Sequence, residues 1–366
     1  MISYGGLLAM GFNLQNIWKK DKISYSYLHR QGTSQYLSVK NGCMAYFNMD
    51  TSKLCYHDNN TITHQDVHRN NFICDVDIEK WNGDMFKLIS YYDSKRHRYI
   101  AVFPFSHDRF FNSVSRIVRC FLVPVSEDHL IGLIVTSGGE ISKVSYNHTY
   151  NITYSSVSLP FLIYMAEFYD PYLYIIDSYH QFHIFCPVRE KVLLSKDFLP
   201  SPIIHFSVLS GKKMAFAMLD QMIRIYSIND ENMMVLNHVI KTKHPIKKIH
   251  IDEYKCVVLL EDGSLSIYDA NTGELWYERK MVIDPSYTTR LYSSHQSIYI
   301  DGHSEGLVKI DSGRKSVKEL DDLTKWVNVK FSKPSSSPFL TALMNTPPYN
   351  RTENTQLNWS WPQPPE

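Results

Sequence analysis

Met214-Ala215-Phe216-Ala217-Met218-Leu219, Cys256-Val257-Val258-Leu259-Leu260 and Ile298-Tyr299-Ile300 are three apolar runs that start at 214, 256 and 298, two equal steps of 42 residues. A turn follows each, then a second run: Ile223-Arg224-Ile225-Tyr226, Leu265-Ser266-Ile267-Tyr268 and Leu307-Val308-Lys309-Ile310, starting at 223, 265 and 307 with the same step. Strands this short cannot bury their own faces. A repeat of about 40–45 residues holding several of them is the pattern of a β-propeller, in which small antiparallel sheets stack around an axis.

Working outward, first strands begin near Pro202, Pro245 and Tyr287, and the same step backwards lands on strand-like segments at Leu159, Arg116 and Phe72. The clearest unit alternates strands over 203–208, 214–219, 222–228 and 233–239 with polar turns between them. Glu261-Asp262-Gly263, Ala270-Asn271-Thr272-Gly273 and Ser137-Gly138-Gly139 supply glycine where tight hairpins need positive φ. No long window carries helical periodicity, so the chain reads as all-β.

Unit starts at 72, 116, 159, 202, 245 and 287 make six units, and strands at 36–39, 43–49 and 53–56 make most of a seventh. The expected architecture is a seven-bladed propeller of four-stranded antiparallel blades, its ring closed by N- and C-terminal strands; residues 326–331 stand one step after the last unit start and are expected to complete the first blade. Eight blades result if residues 1–28 and 338–344 also pair. The expected divisions are an N-terminal segment, 1–28, able to add a closing strand; the propeller, 29–331; and a Pro/Ser-rich tail, 332–366.

The period and strand layout resemble a divergent WD-repeat propeller over residues 29–331. Where a WD-repeat unit ends its third strand in Trp-Asp, this chain has Tyr226-Ser227, Tyr268-Asp269 and Ile310-Asp311. The Gly-His that precedes the first strand in that family is missing, and Gly302-His303 lies elsewhere in the unit.

Apolar residues at 44% and aromatic residues at 13% of 366 are enough to fill a core, and a net charge of +1 offers no global attraction to nucleic acid or anionic membrane. The balance favours protein partners. Cys43, Cys55, Cys74, Cys120, Cys186 and Cys256 are scattered, without Cys-x-x-Cys or zinc-type Cys/His pairing, which suits a reducing compartment. Sequons at Asn59, Asn147, Asn151, Asn350 and Asn358 come with no export signal, so glycosylation is discounted. Residues 2–18 lack a basic leader and are broken by Gly5, Gly6 and Gly11, and no stretch reaches the 18 apolar residues of a membrane span; cytosol or nucleus is expected.

His64-Gln65-Asp66-Val67-His68 has the two-histidine spacing of a zinc helix, but Gln65 replaces the catalytic Glu in a turn-rich stretch, and a solvated loop is the reading adopted. His180 and His183 fall in an expected hairpin whose tip needs no metal. Two basic clusters, Lys95, Arg96 and Arg98 with Lys241, Lys243, Lys247 and Lys248, are placed on rim loops, where convergence on one face would let them hold phosphates. No Gly-x-Ser-x-Gly, phosphate loop or dinucleotide fingerprint occurs, so no catalytic, cofactor or metal residues are assigned and no small-molecule substrate is evident. In the tail, Leu357, Trp359, Trp361 and Pro362 form an aromatic docking motif, seated on a partner or on the chain's own propeller.

The resulting expectation is a non-catalytic scaffold subunit of a multiprotein complex, binding other protein subunits through propeller faces and tail. The alternatives are an accessory subunit of an RNA-acting complex, contacting RNA through the basic clusters, and a propeller hydrolase, which requires a buried carboxylate/His cluster at the channel mouth.

Overall fold

The computed structural model describes residues 23–312 apart from short segments at 30–33, 41–42, 59–60, 69–70, 104–109, 148–151, 198–200, 210–212, 229–233, 281–284, 294–296 and 304–305. The first strand, β1, spans Ile23–His29. Blade 1 is β2 (Ser34–Lys40), β3 (Cys43–Asn48), β4 (Lys53–Asp58) and β5 (Thr61–Asp66). Blade 2 is β6 (Asn71–Trp81), β7 (Asp84–Asp93), β8 (Arg98–Val102) and β9 (Phe110–Ser113), and blade 3 is β10 (Ile117–Ser126), β11 (His129–Thr136), β12 (Glu140–Asn147) and β13 (Ile152–Ser158). Blade 4 is β14 (Ile163–Tyr169), β15 (Tyr172–Asp177), β16 (Phe182–Cys186) and β17 (Lys191–Lys196); blade 5 is β18 (Ile203–Leu209), β19 (Lys213–Met218), β20 (Met222–Ile228) and β21 (Met234–Lys241). Blade 6 is β22 (Ile246–Ile251), β23 (Lys255–Leu260), β24 (Ser264–Asp269) and β25 (Leu275–Lys280). Blade 7 takes β26 (Leu291–Ser293), β27 (Ser297–His303) and β28 (Gly306–Ser312) from the C-terminal side and β1 as its outer strand, Tyr25 facing Ile310 and Tyr27 facing Val308 in antiparallel register.

The seven-bladed all-β ring closed by strands from both ends is therefore present, but its seam differs in detail from the sequence reading. Blade 1 is completed by β5 and not by residues 326–331, which lie outside the described residues, and the mixed blade is the seventh. The stretch taken for a solvated loop around His64 is this outer strand, with residues 63–66 exposed. A strand wet on both faces has no reason to alternate apolar with polar residues, so Thr61-Ile62-Thr63-His64-Gln65-Asp66 gives a weak signal.

Seven apolar clusters fill the ring, one wedge between each pair of neighbouring blades. Between blades 5 and 6, Ala215, Ala217, Ile223 and Ile225 pack on Ile246, Ile249, Val258 and Leu260; between blades 6 and 7, Val257 and Leu259 pack on Ile298 and Ile300. Second strands are thus apolar on both faces, which is why they read as unbroken runs. The hairpin joining second to third strand holds one left-handed residue in each of blades 1 to 6: Ser52, His97, Gly139, His180, Gln221 and Gly263. A Cβ on Gly139 would stand 2.5 Å from the carbonyl oxygen of Phe161, so that position admits only glycine.

Since strands within a blade are antiparallel, first–second and third–fourth turns open on one face of the ring, the back. Second–third turns and the links between blades open on the other, the front.

Candidate functional site

The first strand of each blade lines the central channel, and a bulge there sets which residues face the axis. Register shifts fall at Ile73/Asp75, Ile117/Arg119, Ile163/Met165, Ile203/His205 and Ile246/Lys248. Each lets an apolar residue on either side stay in the wedge while the next residue turns to the axis. Arg290 stands 42 residues after Lys248, immediately before β26, and its carbonyl accepts from Asp301 N–H. One layer at the front end of the channel is therefore built from Asp75, Arg119, His205, Lys248 and Arg290, with Glu167 of β14 beside it.

An inner strand exposes backbone N–H groups toward the axis, and side chains of the preceding blade accept from them. Cys120 N–H donates to Asp75 Oδ2 (2.9 Å), Leu122 N–H to Asp77 Oδ2 (2.7 Å), Ile251 N–H to Ser207 Oγ (3.1 Å) and Leu37 N–H to Asp301 Oδ2 (3.3 Å). Asp77 also accepts from Ser38 Oγ and pairs with Lys40, whose Nζ donates to the Leu122 carbonyl. These bonds lock neighbouring blades in register along the channel.

The layer carries a chain of alternating charge. Arg290 Nη2 donates to Asp75 Oδ1 at 2.5 Å, Arg119 Nε lies 3.3 Å from Asp75 Oδ2, and Arg119 Nη1 donates to Glu167 Oε1 at 2.6 Å. Arg290 belongs to blade 7 and Asp75 to blade 2, so this pair skips blade 1 and reaches along the channel mouth. The carboxylates beside Arg290 raise its pKa above the usual arginine range despite burial. Lys248 has no hydrogen-bond or ion-pair partner among the described residues, and burial together with the charges of Arg290 and Arg119 lowers its pKa to about 8. His205 is held neutral, well below the usual histidine range, by burial and by Lys248, Arg290 and Arg119. Ile246, Ile249 and Ile251 of the same strand are packed in the wedge against blade 5, so after the bulge Lys248 stands on the opposite face of β22.

The two basic clusters end up in different settings. Lys95, Arg96 and Arg98 are exposed at the second–third turn of blade 2, where Arg96 Nε lies 3.7 Å from Asp93. Lys241 is exposed at the end of β21, and Lys243, in the link to blade 6, donates to Glu278 Oε2 at 2.5 Å. Both sets open on the front, three blades apart around the ring. Lys247 and Lys248 are corrected from rim loop to inner strand: Lys247 is the bulge residue and Lys248 faces the axis. The tail motif of Leu357, Trp359, Trp361 and Pro362 lies outside the described residues.

Large exposed apolar side chains are unevenly spread. Met49, Phe72, Val114, Leu162, Tyr164, Tyr179 and Leu219 sit on front turns, links or strand ends of blades 1 to 5, whereas Val125, Val188, Val235 and Leu275 are at back turns or strand ends among the described residues, and Tyr154, Leu236 and Val239 lie along outer strands. Tyr179 is 80% exposed and Leu219 63%, at matching turns of adjacent blades.

The expected histidine hairpin exists, but His183 is buried in β16. One ring nitrogen, Nδ1, lies 2.8 Å from Ser195 Oγ and the other, Nε2, 3.1 Å from Asp177 Oδ2, with the ring stacked on Phe161 at 4.0 Å. These are the residue types of a nucleophilic triad. Asp177, however, spends its other oxygen on the N–H groups of Tyr179 and Gln181, closing the turn, and the group lies between third and outer strands, far from the channel. Its geometry ties the front hairpin of blade 4 to the outer strand.

Among the described residues no three His, Cys, Asp or Glu side chains converge as a metal site, all six cysteines are free, and no helix is long and apolar enough to cross a membrane. The channel layer escaped the sequence reading because the bulge breaks period-2 alternation. Following polar residues along the repeat step would have found it, since Asp75, Arg119, His205, Lys248 and Arg290 recur at one to two steps of 42–44.

No family model and no curated relative matches the chain. Solved structures do. The Myceliophteria thermophila Cps50 (Swd1) β-propeller domain superposes with a TM-score of 0.57 at 10% identity, over 80% of this chain and 100% of that one. KlHsv2 with loop 6CD replaced by a Gly-Ser linker gives 0.56 at 11% identity, over 79% of this chain and 95% of that one. At such identity the likeness concerns the fold alone, a seven-bladed β-propeller.

Proposed function

We propose that this chain is a non-catalytic scaffold subunit of a multiprotein complex in the cytosol or nucleus, docking another protein subunit on its front face and carrying in its tail a second docking element centred on Trp359 and Trp361. The observation that carries this reading is the front-face bias of exposed apolar side chains, Phe72, Val114, Leu162, Tyr164, Tyr179 and Leu219, across blades 2 to 5. Apolar and aromatic anchors surrounded by charge are what protein interfaces are made of. The exposed Lys95, Arg96, Arg98 and Lys241 on the same face favour a partner with an acidic rim. An RNA path is disfavoured because those cations stand three blades apart and Lys243 is already paired.

Quantitative affinity purification of the full chain tests the proposal. A Tyr179→Ser/Leu219→Ser double variant should lose a partner that a Val125→Ser/Val188→Ser variant on the back retains, and removal of residues 345–366 should weaken the same complex. Equal recovery with front and back variants contradicts docking on the front. For the non-catalytic part, a serine-reactive fluorophosphonate probe should leave Ser195 unlabelled; labelling lost in Ser195→Ala would overturn it.

A further inference from the structure

Donors outnumber acceptors at the front end of the channel. Asp75 is used by Arg290, Arg119 and the Cys120 N–H, and Glu167 by Arg119. Asp301, buried in the wall, accepts from the N–H groups of Thr289, Arg290 and Leu37 and from the Thr289 hydroxyl. What remains is the Lys248 ammonium, with no partner among the described residues, and Arg119 Nε, which is buried and makes no hydrogen bond of acceptable geometry. The third is His205. Its Nδ1 faces the Ile249 N–H at 3.5 Å and so is the acceptor of the neutral ring, which leaves the proton on Nε2 as a further donor. An unpaired ammonium beside two guanidinium groups is costly unless an anion joins them.

We infer that the front mouth of the channel is a binding site for an oxyanion, a sulfate-, phosphate- or carboxylate-sized group held centrally by Lys248, with His205 Nε2–H and the arginine pair as flanking donors. This site is separate from the apolar face proposed above and does not depend on it. The oxyanion arrives either as a free small anion or as an acidic side chain of a polypeptide entering the channel. A bound anion places a negative charge against the Lys248 ammonium, which has no ion pair of its own among the described residues, and raises its pKa, so affinity must fall as pH rises and the free lysine deprotonates. The groups around it are Arg290, Arg119, Glu167, Asp301 and His205; His205 is already neutral, and Lys248, with its pKa lowered to about 8, is the group that responds over that range.

Calorimetric titration of the full chain with sulfate, whose charge is constant over the range, and separately with an acetylated tri-glutamate peptide tests the inference. Sulfate should bind at about pH 7, lose affinity by about tenfold or more at about pH 9.5, and lose as much in Lys248→Gln, while Lys241→Gln on the exposed rim binds like the parent. Peptide binding with the same dependence on Lys248, without sulfate binding, assigns the site to an acidic polypeptide side chain. The pH series on the parent chain stands even if Lys248→Gln fails to fold. Neither probe binding, or binding that ignores both pH and Lys248, overturns the site.

Discussion

Lys248 and Lys255 are seven residues apart on the same blade and show a cation in two settings, half-buried at the channel mouth and buried in the wall. Lys255, 1% exposed, pairs with Asp252, whose oxygens also accept from the N–H groups of Tyr254 and Lys255 and from Ser293 Oγ of blade 7. Both carboxylate oxygens are in use, and the group fastens blade 6 to blade 7. Burial alone lowers the Lys255 pKa and Asp252 pulls it back; for Asp252 the ammonium and hydrogen bonds outweigh burial and lower its pKa. Lys248 has Arg290 and Arg119 beside it instead, and makes no ion pair with Asp301 or Glu167, the carboxylates that act on it. The wall is closed electrostatically and the channel is not. A closed pair specifies structure, whereas an open one is available to a ligand.

Substitutions along this gradient test the contrast. Lys255→Met should cost the most, about 3–5 kcal/mol, because it strands the Asp252 carboxylate in the wall; denaturant unfolding reads it, and a loss below about 1 kcal/mol would erase the distinction. Asp75→Asn comes next, at about 2–3 kcal/mol, since the two arginines lose their shared anion while the amide oxygen keeps the Cys120 N–H.

Lys248→Met should be neutral within about 1 kcal/mol or stabilising, as it removes a cation that has no partner. Its signature lies in pH. The native pKa is about 8 and an unfolded lysine titrates near 10.4, so between these values the unfolded chain binds more protons and Lys248 makes stability rise with pH. Parent minus variant should show that rise, and a flat difference would place Lys248 in solvent. Smallest is Lys243→Ala: its pair with Glu278 is short, but the lysine side chain is 67% exposed, and the change should stay below about 0.5 kcal/mol.

Legibility in the sequence followed burial. Blades 5 to 7 were readable because their second strands are dry on both faces, giving unbroken runs such as 214–218 and 256–260 at a constant step. Outer strand β5 was not, since solvent on both sides imposes no pattern, and β1 was foreseen only as a closing strand somewhere in residues 1–28, because its place depends on an edge formed about 280–290 residues later, at β28. The channel was misread for a different reason. Adjacent lysines 247 and 248 look like a solvated cluster, and only the bulge that turns one of them to the axis separates them. The front apolar residues were invisible because each stands alone at a turn, a link or a strand end; the ring topology alone brings Phe72, Val114, Tyr179 and Leu219 to one face.

The scaffold reading is tested most directly by amide hydrogen exchange on the chain isolated with its native partners, compared with the chain alone. Docking on the front predicts slower exchange at the second–third turns of blades 4 and 5, around Tyr179 and Leu219, with the back turns at Val125 and Val188 unchanged. Protection confined to the back turns, or none at either, would contradict it.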